Sequence, residues 1–179
     1  MKLVALVGMT GAGKSEVSGL LKRKGFIPIR FGDATDEEIK KRGLKLNEAN
    51  ERLVREELRE KYGMAAYAVI NLPRIDKALE KGDVAIDGLY SWEEYNTLKD
   101  KYGEELIILA VWASPQTRYK RLALRSRRPL NTTEAAGRDK SEIENLNKGG
   151  PIALADYTIN NQGSLEKLTE QVDEFLARL

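Results

Sequence analysis

A glycine-rich segment near the N-terminus contains the residue types that bind phosphate. An apolar run, Leu3–Val7, is followed by the pattern Gly8-x-x-x-x-Gly13-Lys14-Ser15, and a helical pattern comes directly after it. Glycines without a Cβ let the backbone amides turn inward around an anion, and the N-terminus of the next helix favours negative charge. The spacing therefore predicts a phosphate loop between a strand and a helix, which binds a nucleoside triphosphate.

The residues of this loop have separate expected roles. Lys14 can reach the β- and γ-phosphates, and the hydroxyl of Ser15 can ligate Mg²⁺. We therefore predict that Lys14 is catalytic, that Ser15 is a metal ligand, and that ATP and Mg²⁺ are the cofactors. The predicted nucleotide-binding residues of the loop are Gly8, Thr10, Gly11, Ala12, Gly13, Lys14 and Ser15.

Two aspartates come directly after predicted strands. Asp87 and Gly88 end an apolar run, and Asp33 follows the second predicted strand, Phe26–Arg30. Ligands of open α/β sheets bind at the carboxyl ends of the strands. We predict that Asp87 holds Mg²⁺ through its waters, and that Asp33 either accepts a proton from an acceptor hydroxyl or binds the acceptor. A turn or helix-cap role is the alternative for each aspartate.

Arginines recur at helical spacing in the second half of the chain. Because Arg can clamp phosphate bidentately, such a stripe before a polar, glycine-containing stretch suits a lid that closes over the nucleotide. We predict this lid at about residues 125–140, with Arg125 and Arg138 as catalytic residues; a solvated charged face is the alternative. The arginines are Arg118, Arg121, Arg125 and Arg128, with Arg127 beside them and Arg138 after the polar stretch 129–137.

Predicted strands alternate with predicted helices along the whole chain. This order predicts an α/β fold with a parallel sheet and right-handed crossovers, in a single domain over 1–179. Pro28 favours an edge position for the second strand. Ser91 with Glu94 predicts one helix start, and Ser114 followed by proline predicts another.

Composition excludes several classes of protein. With 30 basic and 28 acidic residues the net charge is +2, which argues against a nucleic-acid partner. The chain has no cysteine and no histidine, so thiolate chemistry and histidine bases are excluded. No apolar stretch approaches the ~20 residues of a membrane span, and the chain opens directly into the first strand. We therefore expect a cytoplasmic protein without a membrane partner; the sequence leaves its oligomeric state open.

The chain resembles the dephospho-coenzyme A kinases and the nucleoside-monophosphate kinase superfamily, including a group of archaeal-type adenylate-kinase-related proteins. Besides the loop and the two aspartates, the resemblance rests on the stretches 113–122 and 155–165 and on Arg138-Asp139. It implies a P-loop three-layer α/β/α fold with a five-stranded parallel sheet. It also implies a helical acceptor-binding segment at about 34–81 and an arginine lid.

The resemblance further implies roles for individual residues. An arginine like Arg121 lies near the adenine, one like Arg125 reaches phosphate, and one like Arg138 closes from the far side of the lid. The loop that contains Asn161 and Gly163 borders the adenine ring. The implied function is Mg²⁺-dependent transfer of the ATP γ-phosphate to a small nucleotide-like acceptor.

The chain departs from both families at the acceptor. Dephospho-coenzyme A kinases usually carry Asp-Ala-Asp after the second strand and a His-Pro pair, whereas this chain has Gly32 before Asp33 and no histidine. Nucleoside-monophosphate kinases usually have an arginine where this chain has Tyr90. The expected acceptor is dephospho-coenzyme A, and a nucleoside or deoxynucleoside monophosphate is the alternative. A non-kinase ATP-binding switch or slow ATPase is a further alternative.

Overall fold

A five-stranded parallel sheet forms the centre of the fold, in the strand order β2-β3-β1-β4-β5. The computed structural model describes residues 1–126 and 129–179, apart from the side chain of residue 48, so Arg127 and Arg128 of the predicted stripe lie outside the described residues. The strands are β1 (Leu3–Val7), β2 (Ile27–Arg30), β3 (Val84–Asp87), β4 (Leu106–Trp112) and β5 (Tyr157–Asn160).

Helices cover both faces of this sheet, which confirms the predicted three-layer α/β/α fold. No helix in the described part of the chain is long and apolar enough to cross a membrane. The helices are α1 (Lys14–Arg23), α2 (Asp33–Lys41), α3 (Glu48–Tyr62), α4 (Ala66–Leu79), α5 (Trp92–Tyr102), α6 (Pro115–Ala123), α7 (Thr132–Glu144), α8 (Gly149–Ala153) and α9 (Leu165–Leu176), with a 3₁₀ turn at Gly103–Glu105.

The central strand β1 is buried on both faces. Leu3, Ala5 and Val7 pack against the layer that contains α4 and α5. Val4 and Leu6 pack on the opposite face, where α1 and α9 lie. This two-sided burial explains the continuous apolar run in the sequence. It also holds the end of β1, where the phosphate loop begins, in a rigid position.

The edge position predicted from Pro28 is confirmed, because β2 lies at one end of the sheet order. Proline has no amide hydrogen to donate to a neighbouring strand, so an edge tolerates it. β2 runs parallel to β3, and Arg30 at the end of β2 is in register with Asp87 at the end of β3. The two strands therefore bring charged residues to the same edge of the sheet.

Local hydrogen bonds fix the predicted helix starts. The hydroxyl of Ser91 accepts from the Glu94 amide at 3.0 Å, and the Glu94 carboxylate accepts from the amide of Ser91 at 3.3 Å. The same capping box joins Asn131 and Glu134 at the start of α7. The glycine and polar residues of 129–137 predict a flexible connection. This prediction is wrong, because the chain is helical from Thr132. Its capping signal, Asn-x-x-Glu, was visible in the sequence.

The buried Glu94 predicts a pH dependence of stability. Burial raises the pKa of Glu94 to about 7, against hydrogen bonds from the Tyr90 and Ser91 amides that lower it. Because the folded protein binds this proton more tightly than the unfolded chain, its contribution is complete below pH 4.5 and is lost as the pH rises through 7. We expect the free energy of unfolding, relative to that of Glu94→Gln, to fall by roughly 3 kcal/mol across this window.

Urea unfolding of both proteins at several pH values measures this difference. The amide of Glu94→Gln keeps an acceptor for both backbone donors and does not titrate, so it is the matched control. Unfolding free energies that stay parallel from pH 4.5 to 7 would contradict a raised Glu94 pKa.

Candidate active site

A polar cleft of about 1270 Å³ lies over the carboxyl ends of the central strands. Its floor is the segment Gly8–Ser15 between β1 and α1. One wall comes from α6, α7 and the start of α9, and the other comes from α2, α3 and α4. The cleft therefore lies where ligands of open α/β sheets bind.

The backbone of the predicted phosphate loop has a conformation that side chains would prevent. Gly8, Gly11 and Gly13 have φ values of 141°, 85° and 99°. A Cβ at Gly8 would lie 2.3 Å from the carbonyl oxygen of Val111 on β4, and one at Gly13 would lie 2.1 Å from Nδ2 of Asn161. Both glycines are therefore required by space as well as by φ.

The loop leaves a group of backbone amides available to an anion. Within residues 1–126 and 129–179, the amides of Gly11, Gly13, Lys14 and Ser15 donate to no protein acceptor, whereas the Ala12 amide donates to the carbonyl of Met9 at 3.1 Å. The helix α1 begins at Lys14, so the positive end of its dipole points to the same place. These unpaired donors around an open cradle fit a phosphate group.

The Lys14 ammonium lies over this loop. Its Nζ donates to the carbonyl oxygens of Gly8 at 2.7 Å and Met9 at 3.3 Å. Burial and the nearby Lys148 together lower the pKa of Lys14 to about 7, although Glu142 and Asp87 act against this shift. Lys14 therefore has backbone oxygens as hydrogen-bond acceptors and no direct carboxylate partner in the described structure. The phosphates of a nucleotide can provide this missing negative charge.

The two predicted metal ligands both lie on the cleft. Ser15 is in the first turn of α1, and Asp87 ends β3. Burial raises the pKa of Asp87, with Lys14 and Arg30 acting against it. No cluster of three or more carboxylates lies close enough to hold a metal ion among the described residues. A hydroxyl and one carboxylate are oxygen ligands of the kind that Mg²⁺ takes beside substrate phosphates and water, and their role as metal ligands stays a prediction.

The side of the cleft predicted to border adenine contains an unpaired donor. Asn161 is buried, and its Nδ2 donates to the carbonyl of Ala12 at 2.8 Å. Nη2 of Arg121 donates to the carbonyl of Asn161 at 2.9 Å, whereas its Nη1 is buried without a hydrogen-bond partner in the described residues. Gly163 also lines the cleft. A buried N–H without an acceptor is costly, so a ligand oxygen or ring nitrogen at this point would relieve it.

The arginines of the predicted stripe separate into two groups. Arg118 is buried and forms a bidentate ion pair with Asp139, at 2.7 and 2.6 Å, and it does not line the cleft. Arg125 and Arg138 both line the cleft. Nε of Arg138 donates to the carboxylate of Glu142 at 3.3 Å, and more than half of the Arg138 side chain is exposed. Both predicted lid arginines therefore line the cleft: Arg138 lies on α7, and Arg125 follows the end of α6.

Asp33 lies beside the cleft in an ion pair. It is the first residue of α2, and its carboxylate accepts from Nη1 of Arg30 at 2.9 Å. The same Nη1 donates to Asp36 at 3.0 Å. At this point the cleft is lined by Arg30, Gly32, Thr35 and Asp36 rather than by Asp33. The geometry gives Asp33 the helix-start role that its sequence position also allows, and a catalytic role stays a prediction.

Several cleft residues were not predicted from the sequence. On the wall formed by α2, α3 and α4, the hydroxyl groups of Thr35 and Tyr67 lie 2.5 Å apart, and Arg59 lies over the Tyr67 ring at 5.6 Å. Nε of Arg59 is buried without a partner in the described residues. Beneath the other wall, Glu142 and Lys148 form a buried ion pair at 2.7 Å. Thr35, Arg59 and Glu142 lie on charged helices, where periodicity does not distinguish them from solvated neighbours. Tyr67 lies on the more apolar α4, and Lys148 directly precedes α8.

This phosphate loop, on a five-stranded parallel sheet with helices on both faces, defines the P-loop kinase-like fold. A family model described as "AAA domain" matches residues 4–146. A UPF0200 protein of Thermococcus kodakarensis is 36% identical, over 99% of this chain and 100% of that protein. One of Sulfurisphaera tokodaii is 35% identical, over 100% and 98%. The chain therefore belongs to the UPF0200 family of AAA-domain proteins.

Solved structures share the same fold. A protein of Thermus thermophilus, TT1252, has a TM-score of 0.67 and 23% identity, over 99% of this chain and 97% of that one. Shikimate kinase of Bacteroides thetaiotaomicron has a TM-score of 0.65 and 14% identity, over 98% of each chain. At these low sequence identities, the comparison shows that the folds are similar and shows nothing about substrates. The names of the UPF0200 relatives state no acceptor, so dephospho-coenzyme A stays a proposal.

Substitution of Gly13 tests the phosphate cradle. In Gly13→Ala the new methyl group would collide with Nδ2 of Asn161, and φ would be strained, so we expect a loss of ATP affinity of at least about tenfold. Isothermal titration with ATP and Mg²⁺ measures the affinity. Gly19→Ala, inside α1, is the matched control: its methyl group meets only Arg23 at 3.8 Å, and it should raise stability by up to about 1 kcal/mol without affecting ATP. Unchanged affinity in Gly13→Ala would contradict the site.

Proposed function

We propose that this protein is a Mg²⁺-dependent kinase that transfers the γ-phosphate of ATP to a small acceptor. The observation that carries the proposal is the group of unpaired amides at Gly11–Ser15, with Lys14 above them and Asp87 across the cleft. The cleft continues beyond the loop to a second wall, so that there is room for an acceptor beside the donor. A protein that only bound nucleotide would need no such second wall.

The residues of the cleft supply the electrostatic part of this chemistry. Ser15 and Asp87 would hold Mg²⁺, which would supply positive charge against the negative charge of the phosphates. Lys14 stabilises the negative charge at the loop, and Arg125 and Arg138 add positive charge from the wall. Of these groups, Lys14 is already held over the loop by two backbone carbonyls, so its charge needs little reorganisation.

The acceptor wall favours a substrate whose attacking oxygen is already anionic. Arg30, Arg55 and Arg59 all line this wall. Transfer to a sugar hydroxyl, as in dephospho-coenzyme A, needs a carboxylate base, whereas a phosphate oxygen needs none. Asp33 and Asp36 at this end of the cleft are both paired with Arg30, so either carboxylate would have to leave this ion pair before it could accept a proton. A nucleoside or deoxynucleoside monophosphate is therefore the acceptor class that the site supports best.

Dephospho-coenzyme A is the second candidate acceptor, because Asp33 lies at the start of α2 next to the cleft lining. If dephospho-coenzyme A is the substrate, Asp33 would have to leave Arg30 and accept the hydroxyl proton. Asp33→Asn should then lower kcat about 10²-fold or more with little change in KM. With a monophosphate acceptor the same substitution should change mainly KM.

A screen for acceptor-dependent ADP release tests the proposed function. We expect nucleoside monophosphates to stimulate release of ADP from ATP and Mg²⁺, and dephospho-coenzyme A to do so weakly or not at all. Lys14→Ala should lower kcat/KM by about 10²-fold or more, since it removes a preorganised charge at the phosphates. ADP release that no acceptor in the screen stimulates would instead support the switch or slow-ATPase alternative.

The role of the acceptor wall can be tested on α3. Arg59→Gln removes a charge that lines the cleft beside Tyr67, so we expect KM for the acceptor to rise about tenfold or more while KM for ATP stays unchanged. Arg52→Gln on the same helix is the matched control, because the Arg52 side chain is 74% exposed and does not line the cleft. Steady-state kinetics in both substrates give the two constants. Equal effects of the two substitutions would remove Arg59 from the acceptor site.

A further inference from the structure

One residue of the phosphate loop, Thr10, is held at all three of its polar atoms. Its amide donates to Oε2 of Glu142 at 3.3 Å, and its hydroxyl donates to Oε1 of the same carboxylate. Its carbonyl oxygen accepts from Nη1 of Arg118 at 3.0 Å. Thr10 precedes Gly11, the first of the amides that are available to phosphate. Its position therefore sets where the cradle begins.

All three contacts lead to the helix α7. Glu142 belongs to this helix, and Arg118 is held in place by the bidentate pair with Asp139, also on α7. Lys148, fully buried between α7 and α8, donates from Nζ to Oε2 of Glu142 at 2.7 Å. Two buried ion pairs thus connect one helix to one residue of the loop.

Stability alone does not account for these two ion pairs. Removing charges from water is expensive, and well-packed apolar groups in place of a buried pair are often as stable or more so. Proton transfer does not account for Glu142 either. Burial would raise the pKa of Glu142, but Lys148, the hydrogen bond from Thr10 and the charge of Arg138 together outweigh burial, and the pKa falls to about 2. Near neutral pH this carboxylate is a permanent hydrogen-bond acceptor, which suits a group that holds another residue in place.

We propose that Glu142, oriented by Lys148, is a positioning residue that fixes Thr10 to α7 and so couples the phosphate loop to the helix that carries Arg138. Arg138 lies one turn before Glu142 and donates to the same Oε1 that receives the Thr10 hydroxyl. A displacement of Thr10 when phosphate binds would therefore move Glu142 and, through the shared oxygen, Arg138. The inference rests on the proposed function only in taking ATP as the ligand of the loop.

Two double variants separate positioning from packing. Glu142→Gln/Lys148→Met removes both charges but keeps an amide that can accept from the Thr10 N–H and donate to its hydroxyl. Glu142→Leu/Lys148→Met also removes both charges, and it leaves Thr10 without either hydrogen bond. Lys140→Gln, at an exposed ion pair on the same helix, controls for a change of charge on α7.

The measurements are thermal unfolding, ATP affinity, and hydrogen exchange of residues 8–15 and 132–144 with and without ATP and Mg²⁺. We expect the glutamine double variant and the Lys140 control to bind ATP within about threefold of the wild type and to show ATP-dependent protection of 132–144. The leucine double variant should unfold at a similar temperature, bind ATP at least about tenfold more weakly, and show no ATP-dependent protection of 132–144. Equal behaviour of the two double variants would overturn the proposal.

Failure of the proposed function gives a different result. If the wild type binds no ATP, the kinase proposal fails, and the coupling is judged on exchange in the protein without nucleotide. There the Thr10 amide should exchange at least about tenfold faster in the leucine double variant than in the glutamine one. Equal exchange rates would overturn the positioning role even though both proteins fold.

Discussion

The phosphate loop has to keep several backbone donors unpaired at the centre of the protein, and the surrounding structure depends on this constraint. The unpaired amides add no hydrogen bond to the loop, and one bond between its own backbone groups, from the Ala12 amide to the Met9 carbonyl, leaves most of its shape to neighbouring residues. Its shape is imposed from outside: Val111 of β4 lies against Gly8, Asn161 lies against Gly13, and Arg118 lies against Gly11. Each contact uses the space that the absent Cβ leaves. The order of the sheet, with β1 beside β4, is what makes the first of these contacts possible.

The same constraint explains why so much charge is buried around the loop. Three cations and three carboxylates lie close together, and most of them are paired with each other. Lys14 and Asp87 are the exceptions among the described residues, and the hydrogen bonds of Lys14 go to carbonyl oxygens. Without a nucleotide its ammonium is therefore poorly compensated, whereas Lys148 has a carboxylate at 2.7 Å. The charges of Arg118 and Lys148 are thus compensated by carboxylates, whereas the charge of Lys14 is left for the phosphates of a ligand. The six groups are Lys14, Arg118, Lys148, Asp87, Asp139 and Glu142.

Local patterns in the sequence were sufficient for those parts of the structure that depend on neighbouring residues. The loop glycines, the edge strand with Pro28 and the capping box of Ser91 were all predictable because their causes lie within a few positions. The start of α7 has an equally local cause at Asn131. The glycine and polar residues of 129–137 favour a loop, however, and the loop was predicted in place of the helix. A capping box is the stronger signal, since it satisfies two otherwise unpaired amides.

Contacts between distant parts of the chain were not predictable in this way. Arg118 has the same helical spacing as Arg121 and Arg125, yet it turns into the protein because Asp139 lies opposite it. Helical spacing shows which residues share a face, but it does not show what covers that face. Lys148 and Glu142 have no distinguishing pattern at all, and their importance follows only from burial.

The two halves of the cleft, which we propose bind the donor and the acceptor, differ in the same respect, and the donor half was therefore easier to predict. The donor half is built largely from backbone amides, and a backbone cradle requires particular glycines at fixed spacing. The acceptor half is built from the side chains of Arg30, Thr35, Arg59 and Tyr67, which come from separate elements and leave no common pattern in the sequence. Long side chains on helices can be exchanged without altering the sheet or the loop. Acceptor specificity can therefore change within this fold while the phosphate loop stays the same.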